Sequence, residues 1–288
     1  MIGAIIGDII GCPYEFGRGE KTKDFPLFSA LSDYTDDTVM TLAVAKAFMA
    51  AGPGADDDTV RAQLISSMQD LGRRYMGRGY GGMFLSWLDS PNPQPYNSYG
   101  NGSAMRVSSV GWLFDTLEET LHAARLSAEV SHNHPEGIKG AQATAAAIFL
   151  GRTGKTKEEI RDYIEKTFGY DLQMPLDFIR PAYYHMESCQ DTVPQAIISF
   201  LEADSTEDAI RNAVSLGGDA DTLGAIAGSI AEAYFGVPDS LSEHLCVYLP
   251  QELLEILREF WDYTTVYEGP YLEVCGGIPF ALRPPIEE

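Results

Sequence analysis

Two short stretches, Thr35-Asp36-Asp37 and Asp219-Ala220-Asp221-Thr222, place four carboxylates and two hydroxyls, in mirror order, at the start of hydrophobic helical runs. No Lys or Arg lies between residues 24 and 45 or between 212 and 257, so sequence neighbours cannot neutralise these acids. Carboxylates packed beside runs such as 39–44 and 223–227 carry a large desolvation cost unless they are paired or coordinated. Oxygen-only donors of this kind suit a hard divalent cation, Mg²⁺, Mn²⁺ or Ca²⁺. Helix capping accounts for part of the pattern, because Thr and Asp are favoured at N-caps and acids in a first turn complement the helix dipole. Capping needs one side-chain oxygen and one further acid at most, fewer than each cluster supplies. EF-hand spacing is absent. A phosphatase-type aspartate would follow a hydrophobic strand, whereas Asp219 follows Ser215-Leu216-Gly217-Gly218 and opens a helix.

Three further groups could act beside such an ion. The turn Tyr99-Gly100-Asn101-Gly102-Ser103-Ala104-Met105-Arg106 leads into a helix, where free backbone N–H groups can bind phosphate; an ordinary Ser-capped turn reads equally well. In Ser131-His132-Asn133-His134-Pro135 the two histidines lack a third His or Cys at zinc spacing, which favours a hydrogen-bonding role, with His132 preferred over His134. Glu15 sits where an apolar helix gives way to a Gly-rich segment, a place for a mobile acid, although a solvated loop glutamate is the plainer reading of the residue alone.

These groups must be held by helices. Spacing of 3.6 residues predicts helices over 36–51, 56–74, 104–116, 117–130, 135–151, 157–167, 191–202, 205–215, 220–235, 239–248 and 250–263, and strand signals are almost absent. The fold class is all-α, a compact multi-helix arrangement, with 1–288 most simply one domain. The apolar run 1–11 lacks a basic start, carries Asp8 and is too short to span a bilayer, so it predicts a buried helix. Small residues at 141–147 and 225–233 predict helices that approach closely at the centre. Residues 77–102, rich in Gly, Pro, Asn and aromatics, predict a structured loop beside a cleft, and 267–288 an irregular tail.

The chain has 288 residues, 45% of them hydrophobic, and a net charge of −22, which argues against binding nucleic acid through a basic surface. The cysteines Cys12, Cys189, Cys246 and Cys275 are scattered and form no CxxC pair, which points to reduced thiols; with no export signal or membrane-length run, a soluble cytoplasmic protein is expected.

Five ordered motifs, Gly3-Ala4-Ile5-Ile6-Gly7-Asp8, Tyr34-Thr35-Asp36-Asp37-Thr38, 100–106, Ser131-His132 and Gly217-Gly218-Asp219-Ala220-Asp221-Thr222, make the chain resemble the ADP-ribosylglycohydrolases over nearly its whole length. The resemblance implies an orthogonal all-helical domain and two divalent ions, Mg²⁺ or Mn²⁺, on Thr35, Asp36, Asp37, Asp219, Asp221 and Thr222. It implies hydrolysis between the terminal ribose of ADP-ribose and an acceptor, most simply an ADP-ribosylated protein side chain. Asp36, Asp37 and Asp219 are then candidates for the proton-handling carboxylate, and Glu15 matches a position on a mobile segment over the metals. Asn101, Gly102 and Ser103 would bind substrate, the last two at the diphosphate; His132 would assist and Tyr99 would stack on adenine. The alternatives are a module that binds ADP-ribose without turnover and a different metallohydrolase acting on nucleotide-type substrates.

Overall fold

In a computed structural model the described residues are 1–19 and 21–264, with the backbone of 271–274 and 278–281. The helices are α1 (Ile2–Gly11), α2 (Asp36–Ala51), α3 (Asp57–Arg74), α4 (Gly82–Asp89), α5 (Gly102–Met105), α6 (Val110–Leu113), α7 (Leu117–Glu129) and α8 (Pro135–Arg152). They continue with α9 (Lys157–Phe168), α10 (Leu176–Ile179), α11 (Cys189–Leu201), α12 (Thr206–Val214), α13 (Ala220–Phe235), α14 (Asp239–Ser242), α15 (Leu245–Tyr248) and α16 (Gln251–Tyr263). One hydrophobic core runs through them, from Met1 to Trp261.

The centre is built on α1, whose ten residues are all buried, lying against α13. Glycine dictates how close they come. A Cβ on Gly7 would stand 2.0 Å from the Gly224 carbonyl oxygen, and one on Gly3 would stand 2.1 Å from that of Gly228, so a side chain at either would drive backbone into backbone. Glu232 on α13 satisfies the start of α1, accepting from the N–H groups of Ile2 (3.2 Å) and Gly3 (2.8 Å). This crossing brings Asp8 of α1 beside the N-terminus of α13. The small residues of α8 and α13 are buried as their composition predicts, Ala143 through Ala147 on the one and Ala227 and Ala231 on the other being fully inaccessible.

The sequence-based boundaries fail in four places. Residues 77–102 are not all loop, because Phe84, Trp87 and Leu88, spaced i, i+3, i+4, bury one face of α4. The run 104–116 is broken into α5 and α6: Arg106 turns inward to the carbonyl of Ser127 and Val107 is fully buried, so tertiary contacts override the periodicity. The run 239–248 likewise divides into α14 and α15. Within the tail, Tyr271–Val274 and Ile278–Ala281 pair as an antiparallel hairpin, with Tyr271 opposite Ala281; the remainder of 265–288 lies outside the described residues. Cys12 and Cys189 are free thiols, but Cys246 is disulfide-bonded, contrary to the expectation of four reduced cysteines. Among the described residues no helix is long and apolar enough to cross a membrane.

Candidate metal centre and cleft

Asp8 organises the first acidic cluster. Its carboxylate accepts from the Thr35 N–H (2.9 Å) and Oγ1 (2.8 Å) and from the Thr38 N–H (3.1 Å) and Oγ1 (2.5 Å). Those bonds fix the first turn of α2, where Thr35 Oγ1 also accepts from the Asp37 N–H at 3.3 Å as N-cap. The Asp36 N–H donates to the Arg78 carbonyl at 2.8 Å. Gly79, at φ +105°, passes so near that a Cβ there would sit 3.0 Å from Asp36 Oδ1, which leaves room only for glycine.

The second cluster is set by consecutive left-handed glycines, Gly217 (φ 71°) and Gly218 (φ 73°), which turn the chain out of α12. Asp219 then occupies the N-cap of α13 without any side-chain capping bond. Its Oδ2 accepts instead from Asn101 Nδ2 at 2.6 Å, and the Asn101 amide also reaches Thr192 Oγ1 at 3.1 Å. Thr222 joins the clusters across 185 residues, donating from Oγ1 to Asp37 Oδ2 at 3.2 Å. Oxygens of Glu15, Asp219 and Asp221 all lie within 4.8 Å of one another.

Among the described residues none of Asp8, Asp36, Asp37, Asp219 and Asp221 forms a salt bridge. Burial first, then mutual repulsion, holds Asp36, Asp37 and Asp221 well above the usual carboxylate range, with Asp221 the strongest neighbour of the first two and Asp219 that of the third. Burial pushes Asp8 to about 6 against its hydrogen bonds to Thr38 and Thr35, and pushes Asp219 to about 6. Asp37 Oδ1 is buried and has no hydrogen-bond partner among the described residues. An orphaned carboxylate oxygen among uncompensated acids fits a bound divalent cation.

The clusters form the floor of a cleft of about 380 Å³, lined by Glu15, Phe16, Thr35, Asp36, Asp37, Gly79, Phe84, Tyr96, Gly100, Asn101, Gly102, His132, Glu187, Asp219, Asp221 and Thr222 among others. Glu15 overhangs the floor from a 3₁₀ segment, Cys12–Gly17, in which Phe16 holds a left-handed backbone (φ 57°) and donates its N–H to the Gly218 carbonyl at 2.9 Å. Burial, with Asp221 second, raises Glu15 to about 7 despite the opposing His185 and Arg18. Glu187 enters the lining with His185 Nε2 at 2.9 Å from its Oε1.

The sequence profile of ADP-ribosylglycohydrolases matches residues 1–269. The chain belongs to the ADP-ribosylglycohydrolase family. It is 28% identical to the mouse ADP-ribosylhydrolase ARH3 over 315 residues, covering 83% of this chain and 84% of that protein. It is 27% identical to the ADP-ribosyl-[dinitrogen reductase] glycohydrolase of Rhodospirillum rubrum over 273 residues (83% and 85%) and 26% identical to the ADP-ribosylarginine hydrolase Tri1 of Pseudomonas putida over 292 (91% and 76%). A solved structure titled an ADP-ribosylglycohydrolase-related protein complex superposes with a TM-score of 0.64 at 21% identity, covering 92% of this chain and 97% of that one, which shows the shared fold. The chain is accordingly a hydrolase of this family.

Within this ADP-ribosylglycohydrolase, the cleft gathers Glu15, Thr35, Asp36, Asp37, Asn101, Gly102, His132, Asp219, Asp221 and Thr222, all expected from the sequence. Two expected residues fall elsewhere. The Ser103 side chain is fully buried and donates to the Gly137 carbonyl at 2.7 Å, so its hydroxyl is not offered to a diphosphate. The Tyr99 ring is 52% exposed and packs edge-on to His134, 5.3 Å between centroids; Tyr96, three residues earlier, faces the cleft in its place. His134 caps α8, accepting from the Glu136 N–H at 3.1 Å, so the preference for His132 in the cleft agrees with the geometry. Asp8, a lone acid in an otherwise apolar helix, is the site residue that the two acidic clusters do not reveal, although such an acid signals a buried charge with partners. Nothing around Glu187 in the sequence marks it.

Proposed function

We propose that this cleft hydrolyses the glycosidic bond between the terminal ribose of an ADP-ribosyl group and an acceptor, a protein side chain in the first instance, with two divalent cations, Mg²⁺ or Mn²⁺, bound. Thr35, Asp36, Asp37, Asp219, Asp221 and Thr222 would hold them. The observation that carries the reading is Asp37 Oδ1, buried and, among the described residues, unpartnered on a floor of acids that no Lys or Arg pairs with. When bound, such cations supply positive charge that fixes ribose hydroxyls and acidifies water.

The chain's own residues supply the rest. Thr222, donating to Asp37 Oδ2, orients that carboxylate from the second cluster, while Thr35 Oγ1, accepting from the Asp37 N–H, fixes its backbone in the first. Asn101 turns Asp219 away from the helix end and toward the cleft. Glu15, raised to about 7 and hanging over the floor, can hold or release a proton near neutral pH, which suits it to the proton transfer that glycoside cleavage requires. The hydrophobic wall of Phe84 and Tyr96 suits the flat, partly apolar adenosine portion of the substrate.

Incubation of the protein with Mg²⁺ and a panel of ADP-ribosylated arginine, serine and nucleic-acid substrates tests this. Release of ADP-ribose from a panel member, abolished by chelation, is expected. Tight ADP-ribose binding with every conjugate left intact would instead favour a non-catalytic binder, and phosphate release from ADP-ribose or ATP would favour a nucleotide phosphohydrolase.

A further inference from the structure

From the cleft wall inward runs a chain of three polar side chains that the metal chemistry does not use. Arg106 is fully buried and donates from Nη2 to the Ser127 carbonyl (2.7 Å) and to Ser131 Oγ (2.8 Å). Ser131 Oγ is in turn 2.8 Å from His132 Nδ1. A guanidinium only donates, so Ser131 must accept from Arg106 and keeps a single proton to give. Among the described residues His132 Nδ1 is the acceptor that this proton finds. A proton on Nδ1 would set two donors against one hydroxyl and leave the hydroxyl hydrogen unplaced.

We infer that Arg106 and Ser131 are positioning residues that lock His132 in the neutral tautomer protonated at Nε2, so that the imidazole presents an N–H donor to an oxygen of the substrate and does not act as an acid or base. The proposal rests on the functional reading above for the identity of that substrate, but not for the tautomer itself. His132 Nε2 has no protein hydrogen-bond partner among the described residues, and it lies beside the Gly100–Gly102 turn, 3.2 Å from where a Gly102 Cβ would be. The ring is steadied by Tyr96 and Phe84, with centroids 5.6 and 6.4 Å away. Burial, reinforced by the Arg106 charge, holds the imidazole well below the usual histidine range, while Arg106, lowered to about 10, stays cationic at neutral pH. In a cleft whose floor offers carboxylate acceptors, a fixed neutral donor is the complement that a ligand's hydroxyl or phosphate oxygen needs.

Histidine-selective ¹⁵N NMR on the full chain reads the tautomer directly. The unsubstituted protein should show Nε2 protonated and Nδ1 bare at neutral pH, with no ligand present. Ser131→Ala should mix the tautomers and weaken binding of free ADP-ribose by roughly tenfold, the effect of one misdirected hydrogen bond, whereas Ser131→Thr should preserve both. His132→Gln, whose amide can reach the Nε2 position as a donor, should bind ADP-ribose better than His132→Asn, whose shorter amide cannot. An Nδ1–H tautomer or an imidazolium in the unsubstituted protein, or a Ser131→Ala protein with unchanged tautomer and affinity, overturns the proposal. Failure of the unsubstituted protein to bind ADP-ribose would strike the functional reading alone, since the spectrum judges the tautomer without it.

Discussion

The two acidic clusters read as mirror images in sequence, yet the fold secures them by opposite means. Thr35-Asp36-Asp37 is clamped: Asp8 takes four hydrogen bonds from Thr35 and Thr38, and Thr35 caps α2. Asp219-Ala220-Asp221-Thr222 is hung from a glycine turn, its leading aspartate uncapped and steered by one amide from a distant loop. The first cluster therefore belongs to the folding framework as well as to the site, while the second spends its carboxylates almost entirely on the cleft. Capping explains the first in part and the second hardly at all.

Substitutions should separate these roles. The largest effect is expected for Asp37→Ala or Asp221→Ala, each of which should lower Mg²⁺-dependent turnover by about a thousandfold or more, with weakened Mn²⁺ binding by calorimetry and an unchanged far-ultraviolet spectrum. Near-native rates with the metal limiting would show that the ligand set is misassigned. Next comes Asp8→Ala, which strands buried donors on Thr35 and Thr38; thermal unfolding of the metal-free protein should report a loss of about 3 kcal/mol. Asp219→Ala, by contrast, should destabilise the metal-free protein less than Asp8→Ala, because it strands a single donor, Asn101 Nδ2, which keeps Thr192 Oγ1 as a partner, and it relieves the repulsion on Asp221. Equal destabilisation by the two would erase the distinction drawn above.

A smaller, pH-dependent effect follows from the raised carboxyl groups. Asp8 and Asp219 titrate at about 6 in the fold against an ordinary 3.8, so their protonated forms favour the folded state below the ordinary value, and that contribution is lost as pH climbs through about 6. Without divalent ions the melting temperature should fall across this window, and the stabilisation that Mn²⁺ confers should grow from about pH 4.5 to about pH 7.5. A Mn²⁺ effect independent of pH would contradict it. The smallest expected change is for Tyr99→Ala, within about twofold in ADP-ribose affinity, since this ring packs on His134 and is not part of the cleft lining.

What was legible in the sequence was chemistry that stood out against its surroundings. The six ligand candidates could be found because four acids opened apolar helices with no base in reach, and the structure gathers all six in one cleft. Side-chain direction was harder to read. Ser103 sits in a glycine-rich turn that looks exposed, but the Gly137 carbonyl, 34 residues on, claims its hydroxyl. Tyr96 and Tyr99 are equally plausible stacking residues by type, and only the path of the loop decides between them. Breaks such as the one between α5 and α6 come from long-range demands, here the burial of Arg106, that local periodicity cannot contain.

The bare-backbone contact of Gly3 and Gly7 with Gly228 and Gly224 also sets a timetable. α1 is one of the most apolar helices of the chain, and its seat on α13 is synthesised more than two hundred residues later. Until then α1 lacks that partner, and closing so long a loop is entropically slow. A nascent or truncated chain ending before α13 would thus lack both its keel and its ion site, making completeness of the polypeptide a precondition for any activity.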